Sequence, residues 1–309
     1  MSIGNFLQLI RWKNLAMIAL IQVLFRYVYF PTFGLNITLD NLHFSLLVFA
    51  TLCIAAAGNI INDIYDIKAD LINKPTKLLI TNPHQKKVAN LLYILLNSIG
   101  FLTGLYISIR IGNSSFVGIF VLTALLLKWY SSYLKKKPLI GNLVVSVLIS
   151  LSILIVGFFD LIPAITEENI VSQYHGFYSL VDYAIFAFMF NFLREIIKDI
   201  EDVNGDIYLD MKTLPIIFGR KRTRNITFSL SFIPLILVTL YTFDNFSRLP
   251  FVLAYMLIVV MLPFMYFMTK LLYAKKKSDY RFLSRLLKLI MLLGIFSILI
   301  ISISIQYAE

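Results

Sequence analysis

The sequence predicts an all-α integral membrane protein with about nine transmembrane helices. Three observations carry that expectation. Apolar residues fill 59% of the 309 positions, and apolar runs of roughly 18 residues or more recur along the chain. Basic residues gather in alternate short loops, as the positive-inside rule requires. Two acid-rich stretches close apolar runs, where bare carboxylates are costly. A single membrane domain over 1–309, without a soluble appendage, accommodates all three.

Residues 1–13 contain Phe6, Leu7, Ile10, Arg11 and Trp12 and read as a short amphipathic helix at the interface. A signal peptide is not expected there, because no basic residue precedes the apolar part and no cleavage signature follows. The spans then fall near 15–32, 44–65, 88–108, 115–133, 139–159, 179–198, 225–243, 250–272 and 287–306. With the N-terminus cytoplasmic and the C-terminus outside, 25 of the 28 Lys and Arg residues lie inside; only Arg26, Arg110 and Arg248 lie opposite. Removing one central span would scramble that asymmetry.

The formal charge of +11 does not indicate nucleic acid, since the cations sit in loops between apolar runs and suit orientation and contact with membrane lipids. Cys53 stands alone in an apolar run, which excludes a disulfide framework or a cysteine metal site. His43, His84 and His175 form no ligand cluster.

The acid stretches are Asn59 to Asp70 and Lys198 to Asp206. In the first, Asn59, Asn62, Asp63, Asp66 and Asp70 recur at helical spacings of three and four and share one stripe. Aligning Asn62-Asp63 with Lys198-Asp199 places Asp66 on Asp202 and Asp70 on Asp206. Both stretches end parallel spans, so both arrive at the cytoplasmic edge. The offset covers four spans, which points to a four-helix repeat plus one extra helix and a ligand between the halves.

Carboxylate and amide oxygens suit Mg²⁺, which is usually held by one or two carboxylates together with substrate phosphates. Lys68, Lys74 and Lys77 follow the first cluster, Arg194 and Lys198 precede or open the second, and Tyr130 and Lys135 end the fourth span on the same side. Those bases suit a diphosphate. Neutralising a diphosphate leaving group beside an apolar groove lets an allylic C–O bond ionise to a carbocation.

The motifs resemble the UbiA superfamily of intramembrane prenyltransferases. Asn62-Asp63-x-x-Asp66-x-x-x-Asp70, followed by Asn73-Lys74-Pro75, is similar to its first signature. The run Arg194-Glu195-Ile-Ile-Lys198-Asp199-Ile-Glu-Asp202-Val-Asn-Gly205-Asp206 is similar to its second, and Tyr130 to Lys135 with Pro138 to Asn142 to a third region. The sequence departs from the pattern at Lys77-Leu78-Leu79 and at Asp210. The resemblance implies a helical bundle with a central cavity and Mg²⁺-dependent prenyl transfer from a polyprenyl diphosphate, geranylgeranyl in the most similar branch, to a lipid-soluble acceptor. In that branch the acceptor is geranylgeranylglyceryl phosphate; an aromatic quinone precursor or a tetrapyrrole is the alternative. It implies metal ligation by Asn62, Asp66, Asp70, Asp202, Asp206 and Asp210, with Asp66, Asp70, Asp202 and Asp206 carrying catalysis. Asn59, Asp63, Lys68, Lys77, Tyr130, Lys135, Arg194, Lys198 and Asp199 are then expected around the substrate. A cation-coupled transporter is the rival of another class, and it would place acids and broken helices at span midpoints.

Overall fold

The computed structural model describes residues 2–307, the side chain of Lys77 apart. Among the described residues a short helix, α1 (Ile3–Leu9), precedes nine long helices. These are α2 (Trp12–Thr32), α3 (Asn41–Asn73), α4 (Pro83–Arg110), α5 (Ser114–Ser132), α6 (Ile140–Ala164), α7 (Ile170–Tyr208), α8 (Arg220–Phe246), α9 (Pro250–Tyr273) and α10 (Lys277–Gln306). Eight of the nine are long and apolar enough to cross a membrane; the other is α7, 39 residues long and bearing the second acid stretch. The protein is an integral membrane protein. The motif helices α3 and α7 each open a run of four long helices, and α2 is the additional one.

Lipid accounts for the outer faces. Leu91, Ile94 and Leu102 on α4, Leu122 and Leu125 on α5, and Ile258 and Leu262 on α9 are all more than half exposed. Contiguous apolar surface of that extent is unfavourable in water and ordinary against hydrocarbon. Inside, Phe25, Phe30, Leu47 and Phe159 centre one buried cluster, while Ile197, Phe264, Phe267 and Leu287 centre a second. A third, smaller cluster joins Leu9 to Ile60, Ile80 and Ala89, so α1 is docked on α3 and α4. Burial of Leu9 alone contributes about 1.5–3 kcal/mol.

The first helix is shorter than the 1–13 expected. It stops at Leu9, and Arg11 takes a left-handed conformation at φ 53° before α2 begins. Side chains cap the starts of α3 and α4: Asp40 accepts the His43 N–H at 2.8 Å, and Asn82 accepts the Gln85 N–H at 2.8 Å. Three helices outrun the spans read from sequence by most, among them α7, which runs from Ile170 to Tyr208 against 179–198. α3 continues to Asn73, past 65, and α10 begins at Lys277, well before 287.

The approach of α3 to α7 fixes the site. The Asn73 side chain donates to the Asp202 carbonyl at 2.8 Å and accepts the Gly205 N–H at 3.1 Å. A Cβ at position 205 would lie 2.3 Å from Asn73 Nδ2 and 2.8 Å from the Ala69 carbonyl oxygen, so only glycine permits this crossing. About 20 Å away along α2, the Arg26 guanidinium meets the fully buried Asp160 carboxylate of α6 at 2.6 Å. Asp160 also accepts the Thr38 and Leu39 N–H groups at 3.0 and 2.9 Å, tying loop 33–40 to the bundle.

Candidate active site

The two acid stripes face one polar cavity of about 530 Å³. Asn62, Asp63, Asp66 and Asp70 enter from α3, and Arg194, Lys198, Asp199, Asp202 and Asp206 from α7. Tyr130 and Lys135 complete that wall, so eleven of the residues singled out from sequence line one chamber. Asn59 lines instead the apolar cavity behind it, its amide donating to the Ile10 carbonyl at 2.9 Å. Lys68 is exposed and away from the cavity: two positions beyond Asp66, it points to another face of α3. Asp210 is also exposed and off the cavity, because α7 ends at Tyr208 and Asp210 follows in a turn at φ 49°. The Lys77 side chain lies outside the described residues.

Each acid has a partner. Lys135 donates to Asp66 and, at 3.4 Å, to the Asn62 amide oxygen, while Asn62 Nδ2 donates to Asp66 at 2.7 Å. Lys74 spans the two helices, 2.9 Å from Asp202 and 3.9 Å from Asp70. Burial works against the Lys74 charge, but Asp202 outweighs it and its pKa is raised. Arg11 reaches Asp63 at 2.7 Å, and this carboxylate pushes the guanidinium pKa further up. Asn142 donates to Asp199 at 2.8 Å, and Thr213 to Asp206 at 3.4 Å. Arg194 and Lys198 both hold Glu195, at 2.8 and 2.9 Å. Such pairing answers the question posed by acids at helix ends: Lys74 is a cation shared by the two stripes, and neutral donors serve Asp199 and Asp206.

Among the described residues no three acids converge into a metal cage. Mg²⁺ does not require one. The donor set of Asp66, Asp70, Asp202, Asp206 and Asn62 offers hard oxygen ligands from two sides of a polar chamber, and this fits an ion that shares its coordination with substrate phosphates.

Behind the polar chamber lies an apolar cavity of about 230 Å³, walled by Ile54, Phe120, Leu127, Leu148 and Ile155. Arg11, Asn14, Tyr130, Arg194, Glu195 and Lys288 line both spaces, marking a neck between them. A third space of about 100 Å³, reached past Met17, Ile149 and Met291, extends the apolar path toward Tyr183 and Tyr241. A charged head in the first chamber and a hydrocarbon tail in the others match this layout.

Several contributors had only weak sequence signals. Glu195 sits four residues before Asp199, on the same stripe, and Asn142 lies within the Pro138 to Asn142 run. Lys288 is a lone cation in an apolar run, which is itself a functional signal once the span boundary is right. Arg11 carries no signal beyond position, and Asn73 stands out only as part of the Asn73-Lys74-Pro75 run after the first signature.

Residues 23–296 match the UbiA prenyltransferase family. The chain belongs to the UbiA prenyltransferase family. It is a prenyltransferase, and the transporter weighed from sequence is set aside. As a UbiA member it is 31% identical over 255 residues to digeranylgeranylglyceryl phosphate synthase of Methanosphaera stadtmanae, covering 82% of each chain. It also resembles a solved structure of digeranylgeranylglyceryl phosphate synthase in membranes, at TM-score 0.65 and 26% identity over 97% of this chain and 98% of that one. A UbiA homologue from Archaeoglobus fulgidus, solved with DMAPP and Mg²⁺, shares the fold at TM-score 0.58 and 18% identity over 95% and 99% of the two chains.

Proposed function

We propose that this UbiA member joins a geranylgeranyl group from geranylgeranyl diphosphate to the hydroxyl of geranylgeranylglyceryl phosphate, with Mg²⁺ as cofactor. The observation that carries the reading is one polar chamber, walled by both acid stripes, opening through a neck into an apolar path. Relatives named digeranylgeranylglyceryl phosphate synthase support the acceptor, and the A. fulgidus homologue bound to DMAPP and Mg²⁺ supports the donor class and the metal.

Asp66, Asp70 and Asn62 from α3, with Asp202 and Asp206 from α7, would hold Mg²⁺, which when bound supplies the positive charge that favours a diphosphate leaving group. Lys74 and Lys135 already lie against those carboxylates and turn to the diphosphate oxygens when substrate enters. Tyr130 closes the chamber from α5. The donor C1–O bond breaks and diphosphate leaves with the electron pair. The apolar walls exclude water from the allylic cation, and the acceptor oxygen attacks C1, forming the ether while its proton leaves into the polar chamber. A single membrane domain performs the whole reaction, with the chamber at the cytoplasmic face, the N-terminus cytoplasmic and the C-terminus outside.

Asp66→Ala and Asp202→Ala test the assignment in purified protein, scored by diphosphate release from geranylgeranyl diphosphate with Mg²⁺ and acceptor. Each is expected to cut turnover by about 100-fold or more, in the range of losing a principal electrostatic group. Near-normal turnover in both would defeat it.

A further inference from the structure

The polar chamber has two electrically different ends. Toward the helix ends it carries Asp66, Asp70, Asp202 and Asp206, only half balanced by Lys74 and Lys135. At the neck the balance reverses. Arg194 stands eight residues before Asp202, about 12 Å deeper along α7. Lys277, at the start of α10, donates to the Asn73 carbonyl at 2.9 Å and so lies level with the crossing of α3 and α7. Lys288 follows eleven residues later, about 16 Å deeper along α10.

At that depth Lys288, Arg11, Arg194 and Lys198 face one shared space. Asp63 takes up Arg11, and the single carboxylate of Glu195 serves both Arg194 and Lys198. No carboxylate pairs with Lys288 among the described residues; its ammonium donates to the Asn14 side-chain oxygen, and Arg194, Lys13 and Arg11 are the neighbouring charges that repel it. Arg194 Nε is buried with no acceptor. A charge in a membrane helix costs about 2.5–3.5 kcal/mol on insertion scales, and mutual repulsion adds to that. An excess of cations with an orphaned guanidinium N–H, placed where a polar chamber meets an apolar one, fits an anion attached to a hydrocarbon tail.

We infer that Lys288, with Arg194 and Asn14, forms a second anion subsite that binds the phosphate monoester of the acceptor lipid, separate from the acid-lined end that takes the diphosphate. The inference rests on the function proposed above and assigns a site to the acceptor's head. Binding there turns the acceptor hydroxyl toward the polar chamber while its tail enters the apolar path. Both substrates are phosphate esters with apolar tails, so the experiment must tell them apart.

Steady-state kinetics of purified wild type, Lys288→Met and Lys288→Arg supply the test, with donor and acceptor varied separately. Lys288→Met keeps the aliphatic stem and removes only a charge from a membrane helix, so it is expected to fold, and an unchanged KM for geranylgeranyl diphosphate verifies that. Its KM for geranylgeranylglyceryl phosphate is expected to rise about 10-fold or more, the loss expected of one charge-assisted hydrogen bond. Lys288→Arg should restore most of the affinity. The dephosphorylated acceptor alcohol should be used equally poorly by all three proteins. A rise in donor KM that matches the acceptor's, an equal loss on the alcohol, or no change at all overturns the inference. A wild type that releases no diphosphate with Mg²⁺ and either acceptor overturns the functional reading itself, whereas full wild-type turnover with an indifferent Lys288→Met removes only the subsite.

Discussion

Arg11 and Asp63 show how one pair of residues shapes the neck of the chamber. A non-glycine residue at φ 53° costs roughly 1–2 kcal/mol, and the 2.7 Å ion pair to Asp63 offsets part of that while ending the first helix. The Arg11 side chain is 36% exposed, so solvent screens the attraction. A double-mutant cycle of Arg11→Gln and Asp63→Asn, read by thermal unfolding in detergent, is expected to give a coupling of about 0.5–1 kcal/mol. A coupling of zero would mean that packing of Leu9 alone holds the N-terminal segment. Lys68 and Asp210 show the limit of spacing arguments at this scale. Lys68 lies near the acids in sequence, but each residue step along a helix rotates by about 100°, and Asp210 continues the four-residue rhythm only after the helix has ended.

Among the elements, α3 and α7 carry the site, and their crossing depends on Asn73 and Gly205. The carboxamide satisfies a backbone carbonyl on one side of a turn of α7 and an N–H on the other, fixing the height of Asp202 and Asp206 against Asp66 and Asp70. Asn73→Ala removes both of these hydrogen bonds, at a cost of about 0.5–1.5 kcal/mol each. It is expected to lower the melting temperature and also to raise the Mg²⁺ concentration needed for half-maximal turnover. A stability loss with an unaltered Mg²⁺ requirement would show that the clamp does not set the register of the acid faces. The two stripes were legible beforehand because helical spacing survives in sequence. The clamp was not, since a hydrogen bond between positions 73 and 205 leaves no local trace. Lys288 is hidden for another reason: a last span starting near 287 puts it at the membrane edge beside the loop cations, whereas α10 starts at Lys277 and carries it about three turns inward.

At the scale of the molecule, the nine long helices of the described residues enclose a path that is acidic at one end, cationic at the neck and apolar beyond. The apolar periodicity and the loop charges made the bundle legible, because lipid imposes length and the positive-inside rule imposes direction. The cavities were not, since volume arises from packing between helices distant in sequence. Orientation can be checked in a Cys53→Ala background with Ser278→Cys and Ser247→Cys labelled by a membrane-impermeant maleimide. Label is expected at 278 from the cytoplasmic side and at 247 from the other; the reverse pattern would invert the topology.

The central idea is that the carboxylates of α3 and α7 grip one metal–diphosphate head together. Its most direct test is the Mg²⁺-dependent affinity for an uncleavable geranylgeranyl thiodiphosphate in wild type, Asp66→Asn, Asp202→Asn and the double variant. Joint coordination is expected to make either single change remove most of the Mg²⁺-dependent affinity, with the double variant scarcely weaker. Strictly additive losses, or affinity that ignores Mg²⁺, would contradict it.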